Sequence, residues 1–167
     1  MFRKVDDFLE SYGYLTEGTG KIFAKLTDEN LSQSIADGHR TLGHLAWHIV
    51  TTVPEMMNRT KLGPSAVDHE STPPRSAPEI ADAYKKVSGE LVEAVKAKWK
   101  DETLLETDDM YGAQWPRGKS LAALVSHEVH HVGQMTVLLR QAGETVPGLY
   151  GPAKEEWAQF GMETPPY

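Results

Sequence analysis

Apolar residues recur at three- and four-residue steps through long stretches of this chain, and no segment alternates cleanly as a strand would. In the first stretch, Val5, Phe8, Leu9, Tyr12, Leu15, Ile22, Phe23 and Leu26 share one helix face, although Gly13, Gly18 and Gly20 weaken its middle. A second helix is expected from about Arg40 to Arg59, with Pro54 able to kink its end. Pro64, Pro73 and Pro74 make Gly63 to Ser76 a loop. Ser76-Ala77-Pro78-Glu79 then combines an N-cap serine, an early proline and a capping-box glutamate. Ile80, Tyr84, Val87, Leu91 and Val95 follow on one face, which the stem of Lys98 can extend.

Asp108 to Gly118 reads as a connector carrying Tyr111 and Trp115, with room for at most a short hairpin. A fourth helix is expected from about Ser120 to Ala142, stopped by Gly143. A short terminal helix is expected to open at Pro152, anchored by Trp157 and Phe160 and ended by Gly161. The pattern predicts an all-α protein, a four-helix bundle with a short C-terminal helix, as one domain over residues 1–167.

Composition removes several functions. With no cysteine, the chain has no disulfide, thiolate metal site or cysteine nucleophile. Its 24 acidic against 17 basic residues argue against a nucleic-acid partner. The N-terminus MFRKVDDFLE lacks the apolar segment of a signal peptide, and Thr41 to Pro54 is too short to span a bilayer. A cytoplasmic protein with no membrane partner is the expectation.

The histidines carry the chemical signal. His44/His48 and His127/His131 are pairs four residues apart on two different expected helices. Seven histidines scattered over 167 residues would give well under one such pair. Positions i and i+4 lie about 40° apart around a helix, so both rings can reach one ion. Bundle interiors are where metal sites are built from facing helices. A histidine pair can equally be a surface feature or a hydrogen-bonded pair in the core. The two pairs together favour a metal.

His127-Glu128-Val129-His130-His131 also has the form H-E-x-x-H, the helix motif of zinc metalloproteases. On that reading Glu128 would be the general base, and Glu155 or Glu156 a third ligand. Gln134 and Val137 stand where the longer metzincin motif needs glycine and histidine. With no strand to bind a peptide, this is the weaker reading. Displaced about 100° from His127, Glu128 suits a surface or partner-helix salt bridge better than a base.

His127-Glu-Val-His-His131-Val-Gly133-Gln134 resembles the H-x-x-x-H-x-G-Q signature of the DinB/YfiT-like superfamily. Leu45-Ala46-Trp47-His48-Ile49 resembles its other landmark, and the tail from Pro147 to Trp157 is also similar. Val132 stands where the family signature often carries arginine. The resemblance covers nearly the whole chain. It implies an up-down-down-up four-helix bundle and a divalent metal, zinc or nickel, held by His48, His127 and His131. It also implies a homodimer, and a small-molecule substrate that includes a low-molecular-weight thiol in characterised branches.

Three imidazoles leave an open coordination position, as in catalytic zinc sites. The expected function is a metal-dependent enzyme, a thiol-dependent S-transferase or a hydrolase. The alternative is a metal-binding stress-response protein without turnover. Among the remaining candidates, Gln134 shares the face of His127 and His131 and is suited to orienting a ligand. Trp47, Tyr111 and Trp115 are candidates for a pocket mouth or for core. His39, His69 and His130 are expected non-ligands, and spacing alone leaves His44 open.

Overall fold

The computed structural model describes residues 1–63, 67–68 and 70–166. Pro64 of the expected loop and His69 lie outside them. Four helices dominate: α1 (Val5–Phe23), α2 (Leu42–Arg59), α3 (Ala77–Lys98) and α4 (Arg117–Gln141). A two-stranded antiparallel sheet, β1 (Thr107–Met110) and β2 (Ala113–Pro116), separates α3 from α4. The molecule is therefore mostly helical, with the one small sheet that the connector had room for.

Helix α1 packs on α3 and α4, and α2 packs on the same two helices. Their inward faces build one apolar core. Phe8, Tyr12 and Ile22 of α1 meet Ile49 and Met57 of α2, Ile80 and Leu91 of α3, and Leu121 and Met135 of α4. The rings of Phe8 and Tyr12 stack at 5.2 Å, and Phe23 meets Tyr84 of α3 at 4.6 Å. Gly13 and Gly20 face open space, so they cost helix propensity without opening the core.

The serine cap expected at α3 forms, with Ser76 Oγ accepting from Glu79 N, but among the described residues no return bond from the Glu79 side chain completes a capping box. Thr41, which the sequence does not single out, caps α2 by accepting from His44 N. No side chain caps α1 from within the helix, and its first amide, Val5 N, donates instead to Asp101 Oδ1 at 2.9 Å. Gly118 has a packing reason to be glycine. A Cβ there would collide with the Phe2 carbonyl, whose own amide donates to Gly118 O at 3.0 Å.

Two expectations are corrected. The terminal helix does not open at Pro152. Trp157–Phe160 forms a single 3₁₀ turn, and Phe160 is 60 % exposed rather than an anchor. Gly161 does end that turn, at φ 67. Polar contacts hold the tail: Glu156 accepts from Gly148 N and Ala153 N, and Arg140 pairs with Glu155 at 2.7 Å. One turn with two aromatics lacks the repeat of apolar positions needed to dock a longer helix. Helix α1 also stops at Phe23, short of Leu26, which is buried beyond the helix end.

Candidate metal centre

His48 lies in the second turn of α2, and its backbone carbonyl accepts from Thr52 Oγ1 at 2.7 Å. His127 and His131 lie one turn apart on α4, the helix packed against α2. The three rings converge. Nε2 of His127 is 3.2 Å from Nε2 of His48 and 3.2 Å from Nε2 of His131. One nitrogen from each ring lies within 4.8 Å of the other two, and the ring centroids are 4.4 to 4.9 Å apart. Among the described residues no other group of three histidine, aspartate or glutamate side chains converges in this way.

This spacing fits an ion better than it fits hydrogen bonding. Ligand nitrogens about 2.0 Å from a tetrahedral ion stand about 3.3 Å from one another. Hydrogen bonding leaves the cluster short of protons. Gln134 Oε1 lies 2.7 Å from His131 Nδ1, so Nδ1 carries the ring proton and Nε2 presents a lone pair inward. A single proton on His127 Nε2 cannot serve well both neighbours at once. His127 Nδ1 is buried without a hydrogen-bond partner among the described residues, so that ring's directed contacts run through Nε2.

The electrostatics favour neutral rings. Burial, followed by the positive charge of Arg40, lowers the pKa of His48 to about 4. Burial is also the first cause of the lowered pKa values of His127 and His131. Neutral imidazole is the ligating form, so all three are in it at neutral pH without expelling a proton.

Other candidates separate cleanly. His44 is exposed, with Nδ1 2.7 Å from Thr41 Oγ1, and does not join the triad. Glu128 is not on the surface and forms no salt bridge, contrary to expectation. It is 2 % exposed, and its Oε1 accepts from Thr19 of α1 at 2.7 Å and Tyr84 of α3 at 2.5 Å. The 100° turn from His127 takes its side chain into the core. Burial raises its pKa. The polar Thr19 and Tyr84 on otherwise apolar faces were the sequence signal for it. Occupied this way, Glu128 is not posed as the base of an H-E-x-x-H protease. Glu155 and Glu156 are tied up in the tail, away from the third-ligand role.

Trp47 donates from Nε1 to Ser71 O at 3.0 Å, fastening α2 to the chain before α3. Tyr111 and Trp115 pack edge to face at 6.2 Å on the hairpin, and Tyr111 donates to Glu55 of α2 at 2.6 Å. None of these three aromatics lines the cleft beside the triad. That cleft, of about 500 Å³, opens at His131 and Gln134. Its other polar lining is His39, Arg40 and His130, and its apolar lining is Ile35, Leu45, Val137 and Leu138. Arg40 and Ile35 enter through a loop that no helical periodicity could place.

A sequence model of the DinB family matches residues 1–165. The chain is 47 % identical over 165 residues to the Bacillus subtilis (strain 168) protein called "Uncharacterized protein YrdA", covering 99 % of each. It is similar to the crystal structure of a DinB-like protein from Bacillus cereus, with 46 % identity and a TM-score of 0.87 over 90 % of this chain and 100 % of that one. A DinB-like protein from Bacillus subtilis, YjoA, shares the fold at 18 % identity, with a TM-score of 0.70 over 88 % and 99 % of the two chains.

Proposed function

The chain belongs to the DinB family, and from that premise we propose that His48, His127 and His131 hold one divalent ion, zinc or nickel, in a metal-dependent enzyme. The observation that carries this reading is the convergence of three neutral imidazole nitrogens, two of the contacts at 3.2 Å. A bound divalent ion would lower the pKa of a water or substrate thiol at its open position. The chain's own part is to hold and orient. Gln134 fixes the tautomer of His131, Thr52 holds the His48 carbonyl, and the neighbouring cleft receives a small substrate. The reaction type that fits is thiol-dependent S-transfer or hydrolysis, with the thiol supplied by a cosubstrate because the chain has no cysteine.

We further read the bundle as up-down-down-up and the chain as one domain, working as a homodimer in the cytoplasm. Three contacts support the helix directions. Phe2, just before α1, bonds Gly118 at the start of α4, while Asp28, just after α1, bonds Ala77 at the start of α3. Tyr111, just before α4, reaches Glu55 near the end of α2. No helix among the described residues is long and apolar enough to cross a membrane.

The test is metal analysis of the purified protein, followed by a panel of thiol conjugation and ester hydrolysis reactions. One tightly held divalent ion per chain and turnover on at least one substrate are expected. A metal-loaded protein inert across the panel would instead support metal binding without catalysis.

A further inference from the structure

Resting on the metal reading above, we propose that the cleft beside His131 selects small organic anions with an apolar body, and that Arg40 is the residue that contacts the anionic group. The lining divides chemically. Arg40, His39, His130 and Gln134 supply hydrogen-bond donors, and Arg40 a permanent positive charge. Ile35, Leu45, Val137 and Leu138 supply an apolar wall. Among the described residues no carboxylate lines this cleft, although the chain carries a formal charge of −7. The other large clefts differ: one is lined by Asp7 and Glu10, another by Asp28 together with Arg75.

Arg40 is free for the role. Among the described residues its guanidinium makes no ion pair, whereas Arg59, Arg117 and Arg140 all do. Its place is built by the fold. The loop that carries it is closed by an antiparallel bridge between Ser34 and Thr41 and by a 2.7 Å bond from Leu42 N to Gln33 O. A tight turn inside it, His39 N to Ala36 O at 3.3 Å with Gly38 at φ 77, projects the His39–Arg40 pair beside α4. Asp37, on the same loop, is exposed and does not line the cleft. A cleft of about 500 Å³ admits a ligand that spans from the guanidinium to the triad.

The experiment uses full-length protein loaded with cobalt(II) and three thiols of equal length: mercaptohexanoate, mercaptohexanol and aminohexanethiol. The thiolate–cobalt absorption band reads occupancy of the open position directly. Mercaptohexanoate is expected to bind about tenfold or more tighter than mercaptohexanol, with aminohexanethiol weakest. Arg40→Ala should collapse that preference to about twofold with cobalt content unchanged, and Arg40→Lys should keep part of it. Lys4→Ala, which removes one charge beside the start of α1, should change nothing. Raised salt should erode the preference. Equal binding of the three thiols, or a preference that survives Arg40→Ala, overturns the inference and leaves the metal site standing. Failure to bind cobalt overturns the metal reading and the inference with it, whereas bound cobalt with no thiolate band from any thiol overturns the inference alone.

Discussion

Inside the bundle, Glu128 accepts from Thr19 and Tyr84 through one oxygen while its other oxygen is buried without a partner among the described residues. Burial raises its pKa, so the fold favours the protonated acid, and stability contributed by that proton is lost as pH rises through the raised value. Glu128→Gln keeps the acceptor and removes the charge. It should leave stability at pH 7 within about 1 kcal/mol of the parent, or raise it, and remove the loss of stability that Glu128 brings as pH rises through its raised pKa. Glu128→Ala strands two buried hydroxyls and should cost about 2–4 kcal/mol. Urea unfolding of both variants distinguishes them, and a Gln variant as damaged as the Ala variant would refute the reading that burial disfavours the charge on Glu128. On the other side of the same helix, Gln134 accepts from His131 Nδ1. Gln134→Leu should weaken zinc affinity about tenfold with the fold intact, measured by chelator competition. Helical spacing makes the His127/His131 pair legible, whereas the choice of His48 over His44 comes from the family resemblance. What spacing does not reveal is which partner each polar residue meets: a surface or partner-helix salt bridge is the natural expectation for Glu128, because its hydroxyl donors lie on two other helices.

At the scale of elements, α2 offers two histidines one turn apart, about 6 Å along the axis, and only the later one reaches the triad. His44 is committed to the Thr41 cap at the helix start. His48→Ala, His127→Ala and His131→Ala are therefore each expected to lose tight metal after dialysis, while His44→Ala retains it. Metal content of the four variants decides this, and retention in His48→Ala with loss in His44→Ala would place the ligand on the wrong turn. Helices α2, α3 and α4 were readable to within about three residues because their caps and apolar steps agree. The connector has room for a short hairpin, but its sequence does not mark where one turns. Its two-residue turn puts both Tyr111, φ 60, and Gly112, φ 82, in the left-handed region, and tyrosine is not a residue that announces such a turn. Contacts to α2 hold Tyr111 there, a hydrogen bond to Glu55 and a guanidinium from Arg59 4.5 Å over its ring. The loop from Ser34 to Thr41 was illegible for the same reason: its shape comes from a backbone bridge and a glycine, and its side chains acquire meaning only beside α4.

For the molecule as a whole, folding and the proposed metal binding would share the same protons. The three triad histidines have lowered pKa values in the folded chain, about 4 for His48, against about 6.5 in an unfolded one. Between those values the unfolded chain holds more protons, so stability of the metal-free protein rises with pH across that window. It is therefore fully present above about pH 6.5 and lost as pH falls toward 4. On the proposed metal site, zinc should steepen the dependence, because only the neutral rings of the folded chain would ligate it in concert. At a hundredfold excess over its dissociation constant, a bound ion adds about 2.7 kcal/mol, a clear rise in melting temperature at pH 7.5. That rise should shrink steadily below pH 6.5 and be nearly gone by about pH 5, where protons outcompete the metal. In His48→Ala both effects should weaken together: a smaller zinc shift at pH 7.5, and a shallower acid limb without zinc. Calorimetric melting at several pH values, with and without zinc, measures both at once. A zinc-induced rise unchanged from pH 7.5 to pH 5 would mean that the ion is held by groups other than these imidazoles.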